Sequence, residues 1–369
     1  MSATTGDVRL ERPRRRMPSW RDALPIAVPV VATIAAMLLG LVLIMSTGAS
    51  LGDTISTVWT GMLGSPFALG TSLNRIAVLA LVGAGFVVSA RCGLFNVGGE
   101  GQINVGGLAA AAVALKVVGD LPQAVALVLV ILAGAAAGAF WGGIAGVLRA
   151  YRGTNEVIST LLLNFIGIGV VSLAVHETAI LRQPITSANT LPTSLPVPPS
   201  THLPLIMGTT SPANLGVVLA GAVLIAAWIA LKHGMLGMRL KAVGLGPGAA
   251  LRAGLDTGRT QVLAMCLSGA PAGIAGALLV LAVPFVLQDG FSSGYGFDGL
   301  VVGLLARGSI LGVLAGATVF GCLRSGGVAM QIGLSIPAET VLIVQALIVI
   351  AVAGTAVLTR GSRSRSDLI

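Results

Sequence analysis

Apolar stretches of about 20 residues recur along the whole chain, and no other feature restricts its fold so severely. They fall near 26–46, 72–90, 103–119, 123–148, 157–175, 214–231, 260–283, 297–306, 309–323 and 337–358. A helix rises about 1.5 Å per residue, so about 20 apolar residues cross the hydrocarbon core of a bilayer. The stretches 297–306 and 309–323 are too short to cross alone with comfort, and they read as half-helices or as one broken element. The expected fold class is all-α: a polytopic transmembrane helix bundle of about ten (8–10) segments, with broken or half-helices.

Composition agrees with this reading. Hydrophobic residues make up 55% of the chain and charged residues only 9%, where a soluble domain carries about 25% charged residues. The 51 glycines suit helices whose backbones approach closely in a membrane.

The net charge of +9 is not spread as a nucleic-acid surface would spread it. Arg9, Arg12, Arg14, Arg15, Arg16 and Arg21 precede the first apolar run, and Arg360, Arg363 and Arg365 follow the last. Positive ends of this kind belong in the cytoplasm. With the N-terminus inside, alternation puts 91–92, 149–154, 232–259 and the C-terminus on the same side. Those segments hold Arg91, Arg149, Arg152, Lys232, Arg239, Lys241, Arg252 and Arg259. The loop 176–213 falls outside, with Arg182 as its one basic Arg or Lys residue. The expected layout is a basic cytoplasmic tail over 1–25, a membrane domain over 26–358 and a cytoplasmic tail over 359–369. The basic start lacks a short apolar core with a small-residue cleavage site, so 26–45 reads as a retained helix. The outer loop carries Pro184, Pro192, Pro196, Pro198, Pro199, Pro204 and Pro212, which favours an ordered, extended excursion over a long helix.

Enzyme chemistry finds no foothold. The chain has no phosphate-binding G-x-x-x-x-G-K-[ST] and no H-E-x-x-H. Cys92, Cys266 and Cys322 are far apart and read as small hydrophobes rather than metal or redox groups. His176, His202 and His233 lie in loops or at helix ends, and no Ser/His/Asp set is expected. His176-Glu177 reads as a solvated loop pair. No cofactor is expected in this chain.

Four polar stretches stand out. Over 93–107, Asn96, Glu100 and Asn104 are spaced by four, with Gln102 among them and Gly98, Gly99 and Gly101 beside them. On a helix they form one stripe. A carboxylate at membrane depth costs about 3 kcal/mol unless it meets a cavity or a partner. Glu100 therefore lines a path through a broken helix, bonds the backbone of a neighbouring helix break, or does both. Over 154–164, Glu156, Thr160 and Asn164 repeat the spacing. Glu156 suits a first helical turn, and Asn164 lies deeper and is the better candidate for facing a path. Asp298, in Gly296-Phe-Asp-Gly299, stands before an apolar segment and suits an N-cap. Over 237–255, Pro247 can start a short helix with Gly254 near its end. That gives a basic helix of one to two turns, suited to docking on a cytosolic partner.

Together these stretches resemble the ABC permeases of the branched-chain amino acid, simple-sugar and nucleoside importers, most closely the nucleoside type. The resemblance rests on 93–102 (G-L-F-N-x-G-x-E-G-Q), 155–164 (N-E-V-I-S-T-L-L-L-N), 296–305 and 239–255, and covers about 80–350. It implies a permease subunit of a bacterial cell membrane, with Asn96, Glu100, Gln102, Asn104, Asn164 and Asp298 as candidates for the substrate path. It also implies an ATPase-coupling set of Gly244, Gly246, Pro247, Ala249, Ala250, Gly254 and Leu255. Gly246 stands where the family carries Asn before Pro, which removes a cap from the coupling helix. The implied partners are a second homologous permease subunit, a cytoplasmic ABC ATPase holding ATP and Mg, and an extracytoplasmic substrate-binding lipoprotein, in membrane lipid and without nucleic acid. Nucleosides are the expected solute and simple sugars the alternative. An ATP-independent carrier or channel, the rival class, has no use for the docking loop, and an ion-coupled carrier usually shows several acids at membrane depth.

Overall fold

The computed structural model describes residues 50–186 and 190–336, with isolated positions inside 31–45 and 343–347. The expected segments 26–46 and 337–358 lie almost entirely outside the described residues, as do both tails. The described part is helical: α1 (Leu51–Leu63), α2 (Pro66–Arg91), α3 (Gly99–Lys116), α4 (Gln123–Arg152), α5 (Glu156–His176), α6 (Leu215–Lys232), α7 (Met235–Leu245), α8 (Pro247–Arg252), α9 (Thr257–Val280), α10 (Tyr295–Leu305) and α11 (Ile310–Leu334). Six of these, α2, α4, α5, α6, α9 and α11, are long and apolar enough to cross a membrane. The chain is a multi-pass helical membrane protein.

Local signals start the helices where the sequence places them. Side chains of Ser65, Asn155, Asn214, Asp256 and Ser309 each accept a hydrogen bond from a first-turn amide. Pro66 and Pro247 occupy the first helical position. Gly153, in left-handed backbone (φ 66°), ends α4.

Helix α9 sits at the centre and packs on α4, α3 and α2. Backbone contact replaces side-chain contact there. A Cβ on Gly273 would lie 2.1 Å from the Gly134 carbonyl oxygen, and one on Gly138 would lie 2.4 Å from that of Gly269. These pairs, four residues apart on each helix, form the small-residue seam that membrane helices use to approach.

One end of the bundle is capped by 177–214 and by the α9–α10 connection, 281–294. Ser194 N donates to Leu287 O (2.8 Å), Val197 N to Phe285 O (2.8 Å) and Gln123 Nε2 to His202 O (3.0 Å). The proline-rich excursion is ordered and extended in its described residues, with one short 3-10 turn at Pro199–Thr201. The opposite end carries α7 and α8, with Gly93 packed on Gly244.

Three elements differ from expectation. Helix α1 lies outside the expected apolar stretches because Asp53, Thr54, Ser56, Thr57 and Thr60 interrupt its hydropathy; Ser50 caps it, and Gly61 packs on Ala329 of α11. The stretch 309–323 is not short: α11 runs on to Leu334, past Arg324, because that charge is paired inside the bundle. The loop 232–259 holds two helices rather than one, α7 preceding the expected α8.

Candidate functional site

Two broken crossings meet inside the bundle. The chain leaves α2 at Arg91, runs irregularly through 92–98, and begins α3 at Gly99. It leaves α9 at Val280, descends irregularly through 281–294, and begins α10 at Tyr295. The two N-termini touch: a Cβ on Gly296 would lie 2.1 Å from Glu100 N. Each start carries unpaired amides and a partial positive charge.

Glu100 answers the start of α10. Its Oε1 accepts from Ser292 Oγ (2.5 Å) and Gly294 N (3.3 Å), and its Oε2 accepts from Gly296 N (2.7 Å). The residue is 3% exposed. Asn104 Nδ2 donates to Ser292 Oγ (3.0 Å) and to the Glu100 carbonyl (2.8 Å). Of the two readings open for Glu100, bonding to a neighbouring helix break is thus realised in these contacts.

The α5 stripe answers the other break. Glu156 Oε1 accepts from Phe95 N (3.4 Å), Thr160 Oγ1 from Val97 N (3.2 Å) and Asn164 Oδ1 from Gly101 N (2.8 Å), while Asn164 Nδ2 donates to Val97 O (2.9 Å). Side chains four residues apart share a helix face, and this face clamps 95–101. Glu156 stands in the first turn of α5, as expected, and pairs with Arg149 at 3.4 Å. Asn164, at 1% exposure, is turned to backbone, not to an opening.

The expected single stripe of Asn96, Glu100 and Asn104 is corrected. Asn96 precedes α3, where the glycines release the chain from helix. Its Oδ1 accepts from Gly98 N (2.8 Å), and its Nδ2 donates to Ser268 Oγ (2.7 Å) and Gln102 Oε1 (3.2 Å). Gln102 returns a bond to Asn96 Oδ1 (3.2 Å). Asn96, Glu100, Gln102, Asn104 and Asn164 therefore form one buried polar knot, every side chain engaged.

Asp298 stands apart from that knot, and its expected capping role is also corrected. Gly294 is the N-cap of α10. Asp298 Oδ2 instead accepts from Arg324 Nη1 of α11 (2.6 Å). Arg324 also donates to Ser293 O and lies 3.9 Å over the Tyr295 ring. Arg75 of α2 lies beside Tyr295 and Arg324. Sequence reading passed over Arg324, Arg75, Tyr295, Ser292 and Ser268. The two arginines, each inside an apolar helix, were the available signal.

The docking loop is built as expected at α8. Extended Gly246 precedes Pro247, Gly254 follows in left-handed backbone (φ 83°), and Leu255 N donates to Ala250 O (3.0 Å). Gly244 lies against the Arg91 carbonyl. Ala250 faces inward at 5% exposure, while Ala249 faces out beside Leu245 (80%) and Leu251 (62%).

A loose Ser/His/Asp grouping also forms, contrary to expectation. Ser172 Oγ donates to Asp289 (3.1 Å), and His176 Nδ1 is 3.9 Å from the same carboxylate. Ser172 Oγ also lies 3.5 Å from His176 Nδ1, but that nitrogen faces the Ser172 carbonyl at 2.8 Å, and a nitrogen that donates to a carbonyl is not a base for the serine.

Comparison with known proteins follows the same residues. The family model described as branched-chain amino acid transport system / permease component matches 68–353. The chain is similar to the guanosine ABC transporter permease protein NupP of Bacillus subtilis, 31% identical over 89% of this chain and 93% of that one. It is 32% identical to the nucleoside ABC transporter permease protein NupB of Lactococcus lactis, over 89% of this chain and 90% of the relative. It is 30% identical to the glucose ABC transporter permease protein TsgB13 of Haloferax volcanii, over 92% and 89%. The knot, both helix breaks and α8 all lie within the matched span, and the chain belongs to the branched-chain amino acid transport system / permease component family.

Proposed function

We propose that this chain is the membrane-spanning subunit of an ATP-driven importer that moves a nucleoside across a bacterial cell membrane. The observation that carries the reading is the meeting of α3 and α10, two helices that begin inside the bundle after irregular segments, N-terminus to N-terminus, in a chain of this permease family. Irregular backbone at membrane depth is tolerated only where protein or water surrounds it, and transporters place solute sites at such breaks. A nucleoside is favoured because relatives named for guanosine and for nucleosides match along nearly the whole chain. A sugar is the second reading, supported by the relative named for glucose.

The same reading supplies the partners. A second permease subunit completes the path, a lipoprotein delivers solute to the 177–214 end, and an ABC ATPase docks at α8. ATP and its Mg²⁺ are held by that ATPase, and this chain performs transport rather than catalysis. Both termini lie in the cytoplasm, on the α8 side, where the basic residues cluster. The exposed Leu245, Ala249 and Leu251 suit a groove on the ATPase.

The test is reconstitution in liposomes with the ATPase and binding protein, followed by ATP-dependent uptake of guanosine and of glucose. Guanosine uptake without glucose uptake is expected. Glucose uptake alone would transfer the assignment to sugars, and uptake without ATP would remove the importer reading.

A further inference from the structure

The Asp298–Arg324 pair has a location that its packing alone does not explain. Gly299 of α10 packs against Val82, about 24 Å along α2 from its start. Arg324 lies about 21 Å from the start of α11 and about 15 Å from its end. The pair therefore sits at mid-depth. Each of its side chains is 19% accessible, and Ser293 beside it is exposed. A charged pair open to hydrocarbon at that depth is strongly disfavoured. Its open side must meet water, a solute or protein.

Glu100 has no such opening, because backbone amides and Ser292 occupy its carboxylate. The open groups are at the irregular descent into α10, where Ser293 and Gly294 both adopt left-handed backbone (φ 44° and 77°). At the opening the formal charges pair off, Arg324 on Asp298 at 2.6 Å. A balanced site does not select an ion. It offers a guanidinium to an acceptor and a carboxylate to a donor on one molecule.

We propose that Asp298 and Arg324 are the solute contact of the path, reading an uncharged solute that presents hydrogen-bond acceptor and donor side by side. Such a solute is a base edge or a sugar diol. The proposal rests on the transport reading above and deepens it: the buried knot holds the broken helices, and the half-open pair touches what passes.

The test uses the complex reconstituted with its ATPase and binding protein, with tritiated guanosine and glucose as probes. The wild type judges the transport reading, and whichever solute it carries becomes the probe for the variants. Uptake of neither overturns both ideas. Arg324→Lys keeps the charge and its partner but loses the planar fork. It should lower uptake about tenfold or more, the loss expected for a missing charged hydrogen bond. Membrane abundance and ATPase co-purification should stay at wild-type levels. The reversed pair, Asp298→Arg with Arg324→Asp, should stay defective. Normal uptake by Arg324→Lys, uptake that falls only in step with abundance, or recovery in the reversed pair would show a helix or subunit pin and overturn the proposal.

Discussion

Glu100 is the residue on which the inner architecture turns. Its carboxylate accepts three bonds from the start of α10, including two backbone amides that have no helical partner. Hydrogen bonds to a charged group contribute about 1.5–3 kcal/mol each, and a buried amide left unpaired costs about 1–3 kcal/mol. Glu100→Gln keeps the shape and one acceptor, but it replaces the other by a donor facing donors. We expect less folded permease in the membrane and a lower melting temperature in detergent, before any effect on uptake per molecule. Unchanged abundance and melting, with uptake reduced, would return Glu100 to the path.

At the scale of elements, glycine decides which helices can touch. Gly134 and Gly138 of α4 meet Gly269 and Gly273 of α9 backbone to backbone. Overpacking a filled interior typically costs about 1–3 kcal/mol, and here the clashing atoms are main chain, which cannot rotate aside. Gly273→Val should therefore abolish the folded bundle, seen as loss of monodisperse protein after extraction. Gly221→Val, on the open side of α6 where an added Cβ meets nothing within 4 Å, should be tolerated. The full length of α11 belongs to this scale too. Its apolar run stops at Arg324, but the helix continues because Asp298, Ser293 and Tyr295 receive the guanidinium. Pairing between elements thus restores a helix that hydropathy alone would end.

Across the whole molecule, the breaks and α8 occupy different levels of one bundle, joined by α2 and α9. Gly93, at the foot of α2, packs on Gly244 of α7. That contact ties α7, the helix before α8, to the break at 92–98. Ala249 and Ala250, adjacent in sequence, face opposite ways, Ala249 outward and Ala250 inward. Ala249→Arg should leave the permease folded but release the ATPase during co-purification, because a bulky charge enters the outer face beside Leu245 and Leu251. Ala250→Arg should instead reduce folded protein, since that side chain is buried. Equal retention of the ATPase by Ala249→Arg would move the docking surface elsewhere.

Much of this was legible in one dimension. Apolar length set the bundle, because lipid admits only backbone that satisfies its own hydrogen bonds. Pro247 marked the start of α8 and Glu156 the first turn of α5, since those effects act within one turn. The spacing of Glu156, Thr160 and Asn164 announced a polar face, and the helical period made it one. What that face touches was not legible. Asn164 reaches Val97 and Gly101, Glu100 reaches Gly296, and Asp298 reaches Arg324, across separations of 26 to 196 residues. A polar side chain in an apolar helix announces only that it needs a partner. Packing of the helices chose the partners, and so set Glu100 against Ser292 and backbone amides while Asp298 and Arg324 keep an open side.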